Sequence, residues 1–251
     1  MNKNRTSILL GIVAIVVFVA LAAFVRERFL AARVVLTSVP NGATIFINGN
    51  PRTTINNDGV VSLALPIGSQ EIGVDREGYW PWVKTVSLDA GSTYTFAPFV
   101  VPRALNAEGL RSSNPDHASI VAALDNATIP TPTAPTASSD GNAEMWLDGE
   151  EIMLRWNGVP AETPAFMCDP GCEPTHTITK ITTQIRSLSF FPGRNDVIII
   201  ATLDGVFALE ADDRGIQNFQ RVYKGELPET VVVANDLYIR DQERLVKVIF
   251  E

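Results

Sequence analysis

The sequence predicts an all-β protein behind a single N-terminal transmembrane helix, on three observations. Residues 6–25 carry no charge and are almost entirely apolar. Downstream, apolar and polar residues alternate in short runs broken by Asn-Gly and Asp-Gly pairs, the patterning of strands and tight hairpins. A Pro- and Thr-rich stretch at 129–139 divides these runs into two blocks. The expected order is a basic head and anchor over 1–32, a small antiparallel β-sandwich over 33–102, a short helix and linker over 103–142, and an antiparallel sheet module over 143–251.

The uncharged stretch sets the frame. At about 1.5 Å rise per residue, twenty residues of helix span roughly 30 Å, the thickness of a bilayer's hydrocarbon core. Lys3 and Arg5 precede it, and all 28 acidic residues lie beyond it. The remaining 18 of the 20 basic residues also lie beyond it, so the downstream chain carries a net charge of -10. Arg26, Arg28 and Arg33 follow it, so the flanking basic charges nearly tie and do not set the orientation. The acidic balance of the downstream chain decides it, and the expected arrangement is a single-pass membrane protein with its short basic head in the cytoplasm and its C-terminal region extracytoplasmic. The rival reading is a cleaved signal peptide, with residues 8–19 as its apolar region and Ala20-Leu21-Ala22 as its cleavage site. Either way the activity lies outside the membrane.

Composition narrows the function. Of 251 residues, 46 % are hydrophobic and 19 % charged, enough apolar material for folded cores. The net charge of -8 opposes nucleic-acid binding, which needs a basic surface.

In the first block, Ala43, Ile45 and Ile47 share one strand face, as do Val61, Leu63 and Leu65, then Ile72 and Val74, then Val86 and Leu88, and then Tyr94 and Phe96. Asn41-Gly42, Asn48-Gly49 and Asp58-Gly59 supply the turns. The run Ser38-Val39-Pro40-Asn41-Gly42-Ala43-Thr44-Ile45-Phe46-Ile47-Asn48-Gly49, with Leu65-Pro66-Ile67-Gly68, Ile72, Val74 and Gly78-Tyr79 after it, resembles the PEGA domain. That family is a small β-sandwich of surface and envelope proteins. Between the two motifs the family's G-x-T-P is replaced by Arg52-Thr53-Thr54-Ile55. The resemblance implies a non-enzymatic module.

In the middle segment, Asn114-Pro115-Asp116 can open a short helix through Ile120, Val121 and Leu124. The Pro, Thr, Ser and Ala residues of 129–139 read as a stiff, solvated spacer.

The second block opens on a hairpin, with Met145-Trp146-Leu147 and Ile152-Met153-Leu154 joined across Asp148-Gly149. Strands at 185–191, 197–201 and 206–210, joined by Pro192-Gly193 and Asp204-Gly205, resemble a β-propeller blade. Runs at 220–223, 230–234, 237–240 and 245–250 resemble a second. A propeller needs at least four blades. A block of this length is therefore a truncated relative, an open sheet, or a module that closes by self-association into a homo-oligomer.

Few residues offer chemistry. Cys168-Asp169-Pro170-Gly171-Cys172 places two cysteines across a turn, which suits a disulfide in an exported domain. Two free thiols, or a metal site adding His176, are the alternatives. Tyr79, Trp80 and Trp82 concentrate aromatics at a hairpin. They serve either packing or contact with a glycan or protein partner, with Trp80 the freest. Asp204, Glu210, Asp212, Asp213 and Arg214 lack calcium-loop order and read as a solvated turn. No nucleophile elbow, phosphate loop or HExxH motif is present, so no catalytic residue, cofactor or metal is expected. The expected function is a non-catalytic, membrane-anchored envelope scaffold or recognition module that contacts protein or cell-wall polysaccharide. An exported hydrolase-like enzyme with a site in the C-terminal module and the ectodomain of a sensor complex are the alternatives.

Overall fold

The computed structural model describes residues 15–17, 19, 31–57, 59–168 and 171–250. The expected anchor lies outside these residues except for Ile15, Val16, Val17 and Val19, which are helical and exposed. Among the described residues no helix is long and apolar enough to cross a membrane.

Seven strands build the N-terminal sandwich. β1 (Ala31–Val39) pairs antiparallel with β4 (Gly59–Pro66) and parallel with β7 (Thr93–Phe96). The facing sheet has the order β3 (Asn50–Thr54), β2 (Thr44–Ile47), β5 (Gly68–Asp75), β6 (Trp82–Leu88). The period-two pattern lands as expected, with Ile45, Ile47, Ile72, Val74 and Leu88 buried against Val34, Leu36 and Phe96. Asn48 and Gly49, both at positive φ, close the β2–β3 hairpin. The parallel β1–β7 pair departs from an all-antiparallel reading. β7 leaves β6, crosses to the opposite sheet and runs beside β1 in the same direction.

The middle segment does not stand off as a spacer. β8 (Ala107–Gly109) pairs with β19 (Arg244–Val248), far along the chain. α1 (His117–Asp125) buries Ile120 and Leu124 against Tyr238 and Leu245. The Pro/Thr stretch is bound through its backbone. The Leu147 N–H donates to the Pro130 carbonyl, and β9 (Thr136–Ala137) pairs with β10 (Ala143–Asp148).

Three four-stranded antiparallel sheets make up the rest. The first runs β9, β10, β11 (Glu151–Trp156), β12 (Thr175–Lys180). The second runs β13 (Ser187–Phe190), β14 (Val197–Ala201), β15 (Gly205–Glu210), β16 (Phe219–Lys224). The third runs β17 (Glu229–Val233), β18 (Asp236–Asp241), β19, β8. β16, expected to open a second blade, instead completes the second sheet, and β8 from upstream supplies the fourth strand of the third.

These sheets stack face to face. Met145, Ile152 and Leu154 of the first meet Ile198, Ile200 and Leu209 of the second. Ile199, Val206 and Ala208 on the opposite face of the second share a core with Leu237, Ile239 and Val246 of the third, and with the sandwich. β14 and β15 are therefore buried along their whole length, the origin of the unbroken apolar run Val197-Ile198-Ile199-Ile200. The leading strands β9, β13 and β17 border one cavity of about 490 Å³. Among the described residues no sheet closes on itself, and three sheets fall short of a propeller ring. α1 covers the third sheet. On the first, Arg155 pairs with Glu144 and lies over the Trp146 ring.

Candidate functional site

The sandwich and the sheet stack meet at a buried ionic cluster. β6 alternates Trp82, Lys84 and Val86 inward, and β15 alternates Val206, Ala208 and Glu210 toward them. Lys84 Nζ lies 2.9 Å from Glu210 Oε2 and 3.6 Å from Asp212 Oδ1, with the lysine side chain wholly buried. It also donates to the Asp212 carbonyl at 2.8 Å. Trp82 Nε1 donates to Glu210 Oε1, and Asn218 donates to Oε2 from both its side chain and its backbone. Burial pushes the Glu210 carboxyl above its ordinary range, and Lys84 and Asn218 pull back against that.

Two arginines fasten the rim. Arg214 grips Asp212 through Nε and Nη2 and donates to the Thr95 carbonyl at 2.7 Å. Its guanidinium sits 4.7 Å above the Phe96 ring. Arg194 grips Asp196 in the same two-pronged way and donates to the Ala97 and Pro98 carbonyls at 2.7 and 3.0 Å. The backbone carbonyls at the end of β7 and just beyond it are thus satisfied by planar, always-charged donors. Between them lies an open cleft of about 360 Å³, bordered by Thr37, Ser38, Phe166, Asn195, Glu210 and Arg214. The charged groups along this cleft are engaged in holding the two halves together.

Glu210 and Asp212 are therefore not part of a solvated turn. They are 3 % and 6 % exposed and carry the interdomain contact. Nothing near Lys84 in the sequence resembles a motif. The available signal is parity, since Lys84 and Glu210 occupy inward positions of their strands.

Cys168 and Cys172 form a disulfide at the end of a short 3-10 turn, Ala165–Cys168. Both sulfurs are consumed, which removes them as metal ligands with His176. His176 instead packs edge-on to Phe166, with Nε2 3.2 Å from Asp213 Oδ1 but off hydrogen-bonding alignment. Among the described hydrogen bonds, none brings a hydroxyl to this pair. The described residues hold no grouping of His, Cys, Asp and Glu able to bind a metal.

The aromatic hairpin is split by the fold. Trp82 is fully buried, which removes it as a contact residue. Tyr79 is half-buried with the Arg76 guanidinium 4.3 Å above its ring. Trp80 is 40 % exposed, with Arg103 5.4 Å from its ring centre.

Residues 31–100 match the family model of the PEGA domain, which takes in β1 to β7. The match supports the resemblance carried by the motifs at 38–49 and 65–79. No curated protein matches the chain.

Proposed function

We propose that this chain is a non-catalytic recognition module of the cell envelope, held at the membrane by residues 6–25 and presenting a rigid all-β body outside it. The observation that carries this reading is the engagement of the interdomain cleft. Lys84, Glu210, Asp212, Arg194, Asp196 and Arg214 direct their hydrogen bonds at one another and at the backbone of 95–98. Polar groups committed in this way fix the geometry between the two halves. The PEGA match over 31–100 and the net charge of -10 beyond residue 25 agree with display at a surface. The partner is a protein or a cell-wall polysaccharide, met on the exposed surface around Trp80.

The tagged full chain, expressed in its own cells, tests this. The expected result is retention in carbonate-washed membranes, cleavage by protease added outside the cytoplasmic membrane, and co-purification of a defined protein or polymer. Release by carbonate overturns the anchor. A chain that retains no partner and turns over an ester, amide or glycoside substrate overturns the recognition reading.

A further inference from the structure

Of the four edges of the sandwich, three are blocked and one is open. At the β7 edge, Arg214 and Arg194 occupy the carbonyls of Thr95, Ala97 and Pro98. On β6, the Val83 N–H is taken by Asn218 Oδ1. β3 carries Pro51 and Arg52 and shifts register against β2, devices that blunt an edge strand. β4 has none of these. It ends its sheet, and among the described residues its backbone makes no hydrogen bond except to β1. The sheet stack meets the sandwich along β6 and β7, which leaves β4 on the far side. All eight residues of β4 are uncharged, whereas every other described strand of six or more residues carries a charged side chain.

The register identifies the open groups. Arg33 gives its N–H to the Ser92 carbonyl on the β7 side of β1, so its neighbours Ala32, Val34 and Leu36 turn theirs toward β4. Opposite them lie Leu65, Leu63 and Val61. Val60, Ser62 and Ala64 therefore aim their N–H and C=O groups away from the sheet. Arg33 Nε donates to Ser62 Oγ at 2.8 Å, which engages the side chain and not the backbone edge. On the inner face, Val61 and Leu63 pack on the core yet stay only half-buried. An antiparallel strand laid here satisfies three donors and three acceptors and covers both side chains. A charge on its inner positions would be set against Val61 and Leu63, so the added strand must itself be uncharged. β4 of a second copy meets that requirement. About a two-fold axis at Ser62, each Ser62 faces the other, Val60 faces Ala64 and Val61 faces Leu63. Inner face then continues inner face, and no like charges stand opposite each other on the paired strands.

We propose that two copies of this chain pair antiparallel through β4, joining their three-stranded sheets into one of six strands. The pairing consumes both open edges and stops at two copies. A single strand pair buries less than a standard interface, so the dimer is weak and depends on concentration. It stands independently of the recognition reading.

Sedimentation equilibrium of the full chain in density-matched detergent, over a concentration series, tests it. The mass is expected to rise from one chain to two, with no larger species. Ser62→Lys sets two ammonium groups against each other at the axis and should weaken the dimer at least about tenfold. Ser62 is exposed, and unchanged thermal unfolding verifies that the variant folds. Ser62→Cys reads the register, since the native cysteines are already bridged. It should cross-link two copies under mild oxidation, at a Cα separation of about 5.5 Å. Val60→Cys should not, because the two Val60 positions lie about 13 Å apart along the paired strands. A single chain at every concentration, species beyond two copies, a dimer unmoved by Ser62→Lys, or equal cross-linking at both positions overturns the proposal.

Discussion

Lys84 and Glu210 meet 2.9 Å apart, with the lysine side chain fully buried and the glutamate side chain 4 % exposed, at the contact between the PEGA sandwich and the second sheet of the stack. Neither charge has water to fall back on, so each depends on the other and on Trp82, Asn218 and Asp212.

Removing one member of such a pair strands the other. Lys84→Met is expected to lower stability by about 3–5 kcal/mol, the usual cost of breaking a buried ion pair from one side. Lys84→Met with Glu210→Gln should recover part of that loss, because the glutamine retains an acceptor for Trp82 Nε1. Equilibrium urea unfolding of the two variants measures the difference.

Glu210 also gives the protein a pH dependence of definite sign. Its folded carboxyl is held above the ordinary 4.5, chiefly by burial. The folded state therefore keeps its proton at pH values where the unfolded chain has lost it. This contribution to stability is fully present below pH 4.5 and is lost as pH rises through the folded value. Asp140 and Glu144 act oppositely. Asp140 is raised by burial but lowered more by hydrogen bonds from Ser138, Asn142 and Asn195, and Glu144 is lowered by its hydrogen bond from Arg155. Their contributions fade as pH falls. Glu210→Gln should abolish the component that declines above pH 4.5 and spare the acid-side loss, which unfolding curves at a series of pH values would reveal.

The Cys168–Cys172 bridge closes a loop of separation 4, so it removes little freedom from the unfolded chain. Reduction is expected to cost about 2 kcal/mol or less. Intact mass with alkylation, before and after reductant, should show the bridge, and a thermal melt should show the modest loss. Loss of the fold on reduction would contradict this.

The β17–β18 turn carries Ala234 and Asn235 at φ of 50 and 65. Asparagine tolerates that region, whereas alanine there costs roughly 1–2 kcal/mol. Glycine relieves the clash but loses about 0.5–1 kcal/mol in unfolded-state entropy. Ala234→Gly should therefore stabilise by up to about 1 kcal/mol, read as a higher melting temperature.

Leu124 anchors α1 to the third sheet and is 4 % exposed. Leu124→Ala should cost about 2–3 kcal/mol and raise amide exchange across 117–125 and β17 before the rest of the fold.

Which parts of the fold are legible in the sequence depends on the groups that hold each part. Ile45, Ile47, Ile72 and Val74 announce their strands because side-chain burial alternates with the pleat. Asp148-Gly149 and Asp204-Gly205 announce hairpins because the backbone there needs particular residues. The Pro/Thr segment is held by main-chain bonds, such as Leu147 N–H to the Pro130 carbonyl, and those leave no trace in side-chain composition. β8 is Ala-Glu-Gly, too short to show a period, and its strand character comes from β19. Lys84 and Glu210 are readable only as charges at inward parity, and that reading requires knowing which face of each strand is covered. The hairpin sequence points to Trp80 as the freest aromatic, and in the fold it is the exposed one of the three, with Tyr79 half-buried and Trp82 fully buried.

The pairing of β8 with β19 also governs the order in which the chain can be finished. Residues 107–109 emerge early in synthesis, yet their partner at 244–248 arrives after both preceding sheets have been made. Until then β8 is not joined to β17 and β18, and α1 lacks Leu245 beneath it. Long-range closure of this kind is slow and late. β19 then acts as a latch, joining residues 107–109 to 244–248 in one step.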